Sequence, residues 1–247
     1  MDHNLATFSI VARCPRSGML GVAVSSAVPA VGAICPYVKS GVGAVSTQSW
    51  VNPYLAIEAL RLMEMGSSAP AALDQVLAGD ARADLRQIGV VDARGGAAAW
   101  TGKGCTSWCG DIVADDFAVQ GNMLTGEGTL DAMAKAFRDN ASLDLAERLL
   151  LTLEAGNAAG GDKRGKQSAA LRVHHTEEYA WLDLRVDEHA RPVDELRRVY
   201  RIARLQLLSF VEGMPKRGEA AEGVPAAVGE MLLKSPPDRP GGGGSAP

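Results

Sequence analysis

The order in which strand-like and helix-like segments follow one another is the feature that most limits how this 247-residue chain can fold. Apolar runs with strand composition mostly come in pairs joined by turn residues, and pairs of helical segments lie between them. The predicted strands cover residues 7–12, 20–25, 42–48, 87–92, 97–101, 117–124, 169–174 and 179–186. The predicted helices cover residues 52–66, 70–77, 129–137, 143–153 and 192–208, followed by a short one at 224–233. Single strands alternating with helices would favour a parallel sheet, whereas this order predicts an α+β fold, a four-layer αββα sandwich of two stacked antiparallel sheets.

The composition is that of a packed globular domain. Hydrophobic residues make up 47% of the chain and charged residues 22%, which excludes an intrinsically disordered protein. The predicted strands are apolar on both faces, as expected of strands buried between two layers. A formal net charge of −4 and an aromatic content of 5% argue against a nucleic-acid-binding protein, which usually presents a basic face and stacking side chains.

The uncharged stretch of residues 19–38 is long enough to cross a bilayer. It holds two prolines and two glycines, which are typical of buried strands joined by a bend and not of a membrane helix. We therefore expect no contact with a membrane.

The ends of the chain differ in composition from its centre. The first residues lack the regions of a secretory signal peptide, so the four cysteines are expected to be reduced and the protein cytoplasmic. Residues 214–247 are rich in Gly and Pro and are predicted to form a flexible tail. We divide the chain into a leader (1–6), one domain (7–213) and this tail.

The threonine that opens the first predicted strand, Thr7, is a candidate nucleophile. If the chain were cut before it, the freed α-amino group would lie beside the Thr7 hydroxyl and could accept its proton. A nearby lysine would depress the pKa of that amine, and Lys39 is the candidate. The alternative is that Thr7 is an ordinary β-branched strand residue and Lys39 a solvated loop residue.

A glycine-rich segment at residues 160–168 carries three cations, Lys163, Arg164 and Lys166. Such a loop could bind a carboxylate or another anion, although its spacing is not that of a phosphate-binding loop. The alternative is a solvated connection. Gln167 and Ser168 stand where the next buried strand begins, so their polar groups need partners.

Polar residues also end the predicted strand 117–124. The side chains of Gln120 and Asn122 could donate to a developing oxyanion, or could belong to a polar turn before the next helix.

The sequence gives only weak indications of a metal site. Cys105 and Cys109 form a single pair without a second one, and His174 and His175 are adjacent, which is not a zinc-binding spacing. We expect no metal and no organic cofactor.

Several blocks of this chain together resemble one known family. They are TFSIVA (7–12), LGVAVSS (20–26), AVGA (30–33), GVGAVSTQ (41–48), RQIGVVDA (86–93), QGNML (120–124) and DKRGKQSAAL (162–171). This set is similar to the domain-of-unknown-function family 1028, over about residues 7–208. The resemblance implies an N-terminal-nucleophile (Ntn) hydrolase-like fold and the hydrolysis of amide bonds by an N-terminal threonine.

The resemblance also implies roles for individual residues. Thr7 stands at the position of the nucleophile and Lys39 where a basic residue tunes its amine, while Asp162 and Ser168 would support the N-terminus. Candidates for oxyanion stabilisation or substrate binding are Gln48, Gln120, Asn122, Lys163, Arg164 and Gln167. Many relatives have only a methionine before the threonine, whereas six residues precede Thr7 here, so a free amine requires cleavage between Ala6 and Thr7 or a later start.

These observations predict an amidohydrolase that cleaves a small amide through Thr7. One alternative is a non-catalytic ligand-binding protein on the same scaffold. Another is an oligomeric structural or regulatory protein that assembles through the helix at 192–208. A homodimer is compatible with each of them.

Overall fold

A computed structural model of the chain describes residues 7–219 and 223–233. Its strands are β1 (Thr7–Arg13), β2 (Leu20–Ser26), β3 (Pro36–Lys39), β4 (Gly43–Ser49), β5 (Arg86–Asp92), β6 (Ala97–Thr101), β7 (Gly110–Ala114), β8 (Phe117–Asn122), β9 (Ser168–His174) and β10 (Leu182–Val186). Its helices are α1 (Pro53–Glu64), α2 (Ala69–Ala78), α3 (Gly128–Asp139), α4 (Leu145–Ala158), α5 (Pro192–Gln206), α6 (Leu208–Glu212) and α7 (Ala226–Leu232). The predicted leader and part of the predicted tail lie outside the described residues.

The strands form two antiparallel sheets. The six-stranded sheet has the order β10-β9-β2-β1-β8-β7, and the four-stranded sheet has the order β3-β4-β5-β6. Apolar residues of both sheets meet in one core cluster, in which Val11 and Val22 of the first sheet pack with Ala44 and Val91 of the second. The two sheets are therefore stacked face to face.

Helices cover the outer face of each sheet. Val45 and Ile88 of the four-stranded sheet share a core cluster with α1 and α2, and α4 packs on β1, β2 and β9 of the other sheet. This confirms the predicted four-layer αββα sandwich.

The central strand β1 is buried on both faces, as its apolar pattern predicts. Thr7, Ser9 and Val11 alternate toward the facing sheet, whereas Phe8 and Ile10 point to the helical layer. Gly156 of α4 lies against Phe8, and a β-carbon there would come within 3.2 Å of the Phe8 ring. This close approach leaves little room between β1 and α4.

Side-chain caps fix where the covering helices begin. Asn52 accepts from the backbone of Tyr54, with Pro53 at the first position of α1, as predicted. Ser68 caps α2 and Asp144 caps α4 in the same way. Each such cap stabilises its helix by about 1 kcal/mol.

The structure differs from the sequence prediction mainly at short strands. β7 is not predicted, and β3 is predicted only as the second of the strands expected within residues 19–38, without bounds; both lie at sheet edges and are partly exposed, so neither carries a long apolar run. The strand predicted at 179–186 begins only at Leu182, and the helix predicted at 143–153 extends to Ala158.

The uncharged stretch at 19–38 forms β2, a short 3₁₀ turn (Val31–Ala33) and most of β3. Among the residues described, no helix combines the length and the apolar character needed to cross a membrane.

Contacts divide the chain into two units, residues 1–196 and 197–247. The first contains both sheets and α1–α4. The described part of the second contains the larger portion of α5, with α6 and α7. Within it, Arg197 and Arg204 hold their guanidinium carbons 5.6 and 5.9 Å from the ring of Tyr200.

Candidate functional site

A line of polar residues crosses four neighbouring strands of the six-stranded sheet. Ser26 of β2 and Asn122 of β8 both pair directly with Thr7 of β1, and Ser168 of β9 pairs with Ser26. Directly opposed residues of antiparallel strands point to the same face, so all four side chains face the four-stranded sheet. All four are buried. The hydroxyl oxygens of Thr7 and Ser26 are 3.0 Å apart.

Two glutamines of the facing sheet complete this polar cluster. Gln48 Nε2 donates to Gln87 Oε1 at 2.9 Å and lies 3.4 Å from the backbone oxygen of Thr7. Asn122 Nδ2 also donates to Gln87 Oε1, at 2.8 Å. Gln87 Nε2 donates in turn to the hydroxyl of Thr101 and to the backbone oxygen of Gly121. Both sheets therefore contribute to one hydrogen-bonded network around Thr7.

A second branch of the network runs through Ser9. Its hydroxyl donates to Gln48 Oε1 at 2.6 Å and accepts from Gln120 Nε2 at 2.6 Å. Gln120 Oε1 is buried and has no hydrogen-bond partner among the described residues. Because both amides bind the Ser9 hydroxyl, and Gln48 Nε2 also donates to the backbone oxygen of Gln120 at 3.3 Å, Gln48 and Gln120 are held in place between the sheets.

The segment of residues 160–167 packs across the end of the sheet at which β1 begins. The backbone N–H of Gln167 donates to the oxygen of Ser26 at 2.7 Å, and that of Lys163 donates to the oxygen of Met123 at 3.1 Å. Ser26 pairs with Thr7, and Met123 directly follows Asn122, its other strand neighbour. The loop is thus tied to both strands that flank Thr7.

Asp162 anchors this loop. Its side chain is fully buried and accepts from the backbone N–H groups of Ala27, at 3.1 Å, and Arg164, at 2.8 Å. The Arg164 guanidinium pairs with the same carboxylate at 3.3 Å.

Ser168 also fixes the backbone near Asp162, since its hydroxyl donates to the oxygen of Val28 and accepts from Val31 N–H. Both residues hold the backbone that follows Ser26.

The cations of the loop lie at its surface. Lys163 is exposed and donates from Nζ to the oxygen of Ser107 at 2.9 Å. Lys166 is partly buried and donates to the oxygen of Gly160 at 3.3 Å. With Arg164, these cations form a positively charged edge beside the polar cluster.

The backbone is strained directly after two residues of the cluster. Ser49, which follows Gln48, has φ 64°, and Met123, which follows Asn122, has φ 50°. Residues other than glycine adopt this left-handed region at a cost, and such residues concentrate at functional sites.

The structure does not bring Lys39 to Thr7. Lys39 pairs with Gly43 at the opposite end of β4 from Gln48, and its ammonium forms an ion pair with Glu64 at 2.6 Å. The other predicted site residues, Thr7, Gln48, Gln120, Asn122, Asp162, Lys163, Arg164, Gln167 and Ser168, all lie in the cluster or in the loop that covers it.

The model of a protein family of unknown function, DUF1028, matches residues 7–196. The chain belongs to this family. Both sheets and α1–α4 of this DUF1028 chain lie within the matched residues, and so does the whole cluster around Thr7.

Two solved structures resemble the DUF1028 chain to different degrees. Protein SPO2555 from Silicibacter pomeroyi, of the same family, is 29% identical; the match covers 85% of this chain and 95% of that one, with a TM-score of 0.78. Anbu (ancestral beta-subunit) from Yersinia bercovieri is 11% identical, and the match covers 86% of this chain and 100% of that one, with a TM-score of 0.40. Among curated proteins, none matches the chain.

Sequence reasoning missed three members of the cluster, Ser9, Ser26 and Gln87. All three lie on the inward face of strands that are otherwise apolar, and this interruption of the pattern was the available signal.

Cys105 carries a nucleophilic side chain that forms a hydrogen bond with the strained Ser49. Burial raises the pKa of its thiol, and a hydrogen bond with Ser49 offsets this only in part. A thiol that stays protonated is a poor nucleophile. Within the described residues, no group of three or more His, Cys, Asp or Glu side chains could hold a metal ion.

Proposed function

We propose that this DUF1028 chain is an amidohydrolase in which Thr7 is the nucleophile for a small amide substrate. The observation that carries the proposal is the hydroxyl of Thr7, which opens β1 and lies 3.0 Å from the hydroxyl of Ser26 inside a polar line across four strands. This hydroxyl has a buried polar partner, and the polar side chains of Ser26 and Asn122 flank it on the two neighbouring strands.

The reaction requires that Thr7 become the first residue of the chain. Its α-amine then accepts the hydroxyl proton while Oγ1 bonds to the substrate carbonyl carbon, giving a tetrahedral oxyanion. The oxyanion collapses, the C–N bond breaks, and the amine leaves with the proton from the α-ammonium. Water then adds to the Thr7 ester by the same proton route and releases the acid.

Asn122 is the best donor for the oxyanion. One N–H of its side chain binds Gln87, and its second N–H is not used in the hydrogen bonds found among the described residues. Gln48 and Gln120 both bind Ser9, and Gln48 also donates to the backbone oxygen of Gln120, so we assign them to holding the cluster and not to binding substrate.

The charged edge of the loop suggests the kind of substrate. Lys163 and Arg164 are exposed beside the cluster, and ammonium and guanidinium groups bind carboxylates; Arg164 already pairs with Asp162, so Lys163 is the first candidate to bind a carboxylate of the substrate. We therefore assign to the site a small amide that carries a carboxylate. The mechanism needs neither a metal nor an organic cofactor.

The test has two parts, both made on the full chain expressed without an N-terminal tag. Intact mass and N-terminal sequencing are expected to find a chain that begins at Thr7. Hydrolysis of a panel of N-acyl amino acids and small amides is then measured for the wild type and three variants. Thr7→Ala should abolish hydrolysis and Thr7→Ser should retain part of it. Thr129→Ala removes an equally buried threonine outside the cluster and should change nothing.

Hydrolysis by Thr7→Ala at the wild-type rate would overturn the proposal. A chain that retains residues before Thr7 and binds an amide without cleaving it would favour the non-catalytic ligand-binding alternative.

A further inference from the structure

A cavity of about 290 Å³ lies at the opposite end of the six-stranded sheet from Thr7. Its walls are the turn after β1, the turn between β7 and β8, the end of α3 and the beginning of α4. The seven residues of β1, about 20 Å of extended chain, separate it from Thr7. The cavity is therefore distinct from the site proposed for hydrolysis.

The deepest charged group of this cavity is Arg148 of α4, whose side chain is 6% exposed. Its Nη2 donates to the backbone oxygen of Phe137 at 2.9 Å, and its guanidinium carbon lies 3.7 Å from the Phe137 ring centre. Its Nε is buried and has no hydrogen-bond partner among the described residues. Arg148 is thus a buried cation with unused donor capacity.

Two further arginines line the same cavity, and neutral groups hold both. Arg16 donates from Nη2 to the backbone oxygen of Leu143 at 2.6 Å. The guanidinium carbon of Arg138 lies 5.3 Å from the ring centre of Phe117. In the part of the chain that the structure describes, neither of them forms an ion pair with a carboxylate, and Arg148 forms none either.

The acidic residues of the cavity do not balance these cations. Asp116 forms an ion pair with Arg13 at 2.9 Å, so its carboxylate is already matched. Asp115 is exposed in the turn between β7 and β8. Three arginines therefore line the cavity with two aspartates, one of which is already paired with Arg13 outside the lining, and the least exposed of these charged residues is the cation Arg148.

A buried guanidinium without a counterion is costly unless something pairs with it. Burial lowers the pKa of Arg148, which reflects this cost; the charge of Arg16 acts in the same direction, and Cys14 and Asp116 oppose it without cancelling it. An oxyanion in the cavity would supply the missing negative charge, and its oxygens could accept from the planar guanidinium donors.

We infer that this cavity binds a small oxyanion, the phosphate or carboxylate group of a small molecule, between Arg16, Arg138 and Arg148.

Calorimetric titration of the full chain with sodium phosphate, and separately with sodium acetate, at constant ionic strength set with chloride, tests this inference. We expect saturable binding of at least one anion to a single site. Phosphate binding alone assigns a phosphate group, and acetate binding alone assigns a carboxylate. Arg138→Ala should weaken binding about fivefold or more, and Arg148→Met should abolish it. Arg61→Ala removes an exposed arginine of α1 and should leave binding unchanged.

Circular dichroism first establishes that each variant is folded. If Arg148→Met does not fold, Arg16→Ala and Arg138→Ala decide the result, because both side chains are exposed. Absence of saturable binding by both anions would overturn the inference. Undiminished binding by the folded arginine variants would overturn it as well.

Discussion

Gly89 of β5 lies directly against the side chain of Gln120 in the facing sheet. A β-carbon at residue 89 would stand 2.1 Å from Gln120 Oε1 and 2.5 Å from its Cδ. The same amide donates to the hydroxyl of Ser9 at 2.6 Å. The absence of a side chain at Gly89 is therefore what allows this amide to fit between the two sheets.

Gly89→Ala is expected to destabilise the fold by about 2–3 kcal/mol, because the methyl group must displace Gln120 and break its bond to Ser9. Urea unfolding measures the loss. Gly128→Ala is the control: a β-carbon there meets nothing within 4 Å, so its free energy of unfolding should stay the same or rise slightly. Equal effects of the two substitutions would contradict the contact between Gly89 and Gln120.

Asp162→Asn is expected to loosen the loop of residues 160–167. The carboxylate accepts from two backbone N–H groups and pairs with Arg164. An amide keeps only one acceptor oxygen, and its NH2 group would face one of these donors. We expect a loss of about 2–3 kcal/mol in unfolding free energy. The backbone amides of Ala27 and Arg164 should also exchange faster with deuterium.

The matched control for this variant is Asp139→Asn. Asp139 is exposed and pairs with Lys135 on the surface of α3, so its replacement should change stability by no more than about 0.5 kcal/mol. Unchanged exchange at Ala27 in Asp162→Asn would show that the carboxylate does not hold this loop.

The layers of the fold could be predicted because they follow from local patterns. Strands such as β1 and β2 are apolar on both faces, and this pattern arises only between two layers. β7 and the bounds of β3 could not be predicted, because neither strand carries such a pattern. Each is a short edge strand that is partly exposed, and β3 begins with Pro36, which suits an edge but weakens a prediction from propensity.

The candidate site was predictable only in part, because strand pairing assembles it. Thr7, Asn122 and Ser168 are distant in sequence, and only the register of four strands puts them in line. Lys39 shows the converse. It follows β2 along the chain, yet the β3–β4 hairpin carries it to the end of the sheet where it pairs with Glu64.

Asp80→Asn is expected to destabilise the fold by about 3 kcal/mol at neutral pH, because it leaves the buried Arg86 without its carboxylate. The two side chains are each 9% exposed, and Arg86 Nε lies 2.7 Å from the Asp80 carboxylate. The substitution leaves the guanidinium one side-chain oxygen and the backbone oxygen of Trp50 as acceptors, but no negative charge to pair with. Urea unfolding of the wild type and the variant measures the difference.

The difference in unfolding free energy between the wild type and Asp80→Asn should shrink as the pH falls. The hydrogen bond from Arg86 lowers the pKa of Asp80 below its ordinary value of 3.8, against burial, which raises it. The ion pair therefore contributes fully above about pH 4 and is lost as the pH falls through the lowered pKa. A difference between wild type and Asp80→Asn that persists unchanged at pH 2 would contradict this assignment.

His174→Gln is expected to make the protein less sensitive to acid. Burial, with the charge of nearby Arg172, lowers the pKa of His174 from 6.5 to about 4, and its Nδ1 is buried without a hydrogen-bond partner among the described residues. The unfolded chain takes up this proton near pH 6.5, but the folded chain does so only near pH 4. Between these values the unfolded state holds more protons, so wild-type stability falls as the pH falls, by at most about 3 kcal/mol.

Unfolding free energies measured from pH 7 to pH 4 test this expectation. The curve of His174→Gln should be flatter than that of the wild type, because the variant has no group that must charge on protonation. His189→Gln replaces an exposed histidine and should follow the wild-type curve. If His174→Gln lost as much stability as the wild type over this range, the acid sensitivity would have to come from other groups.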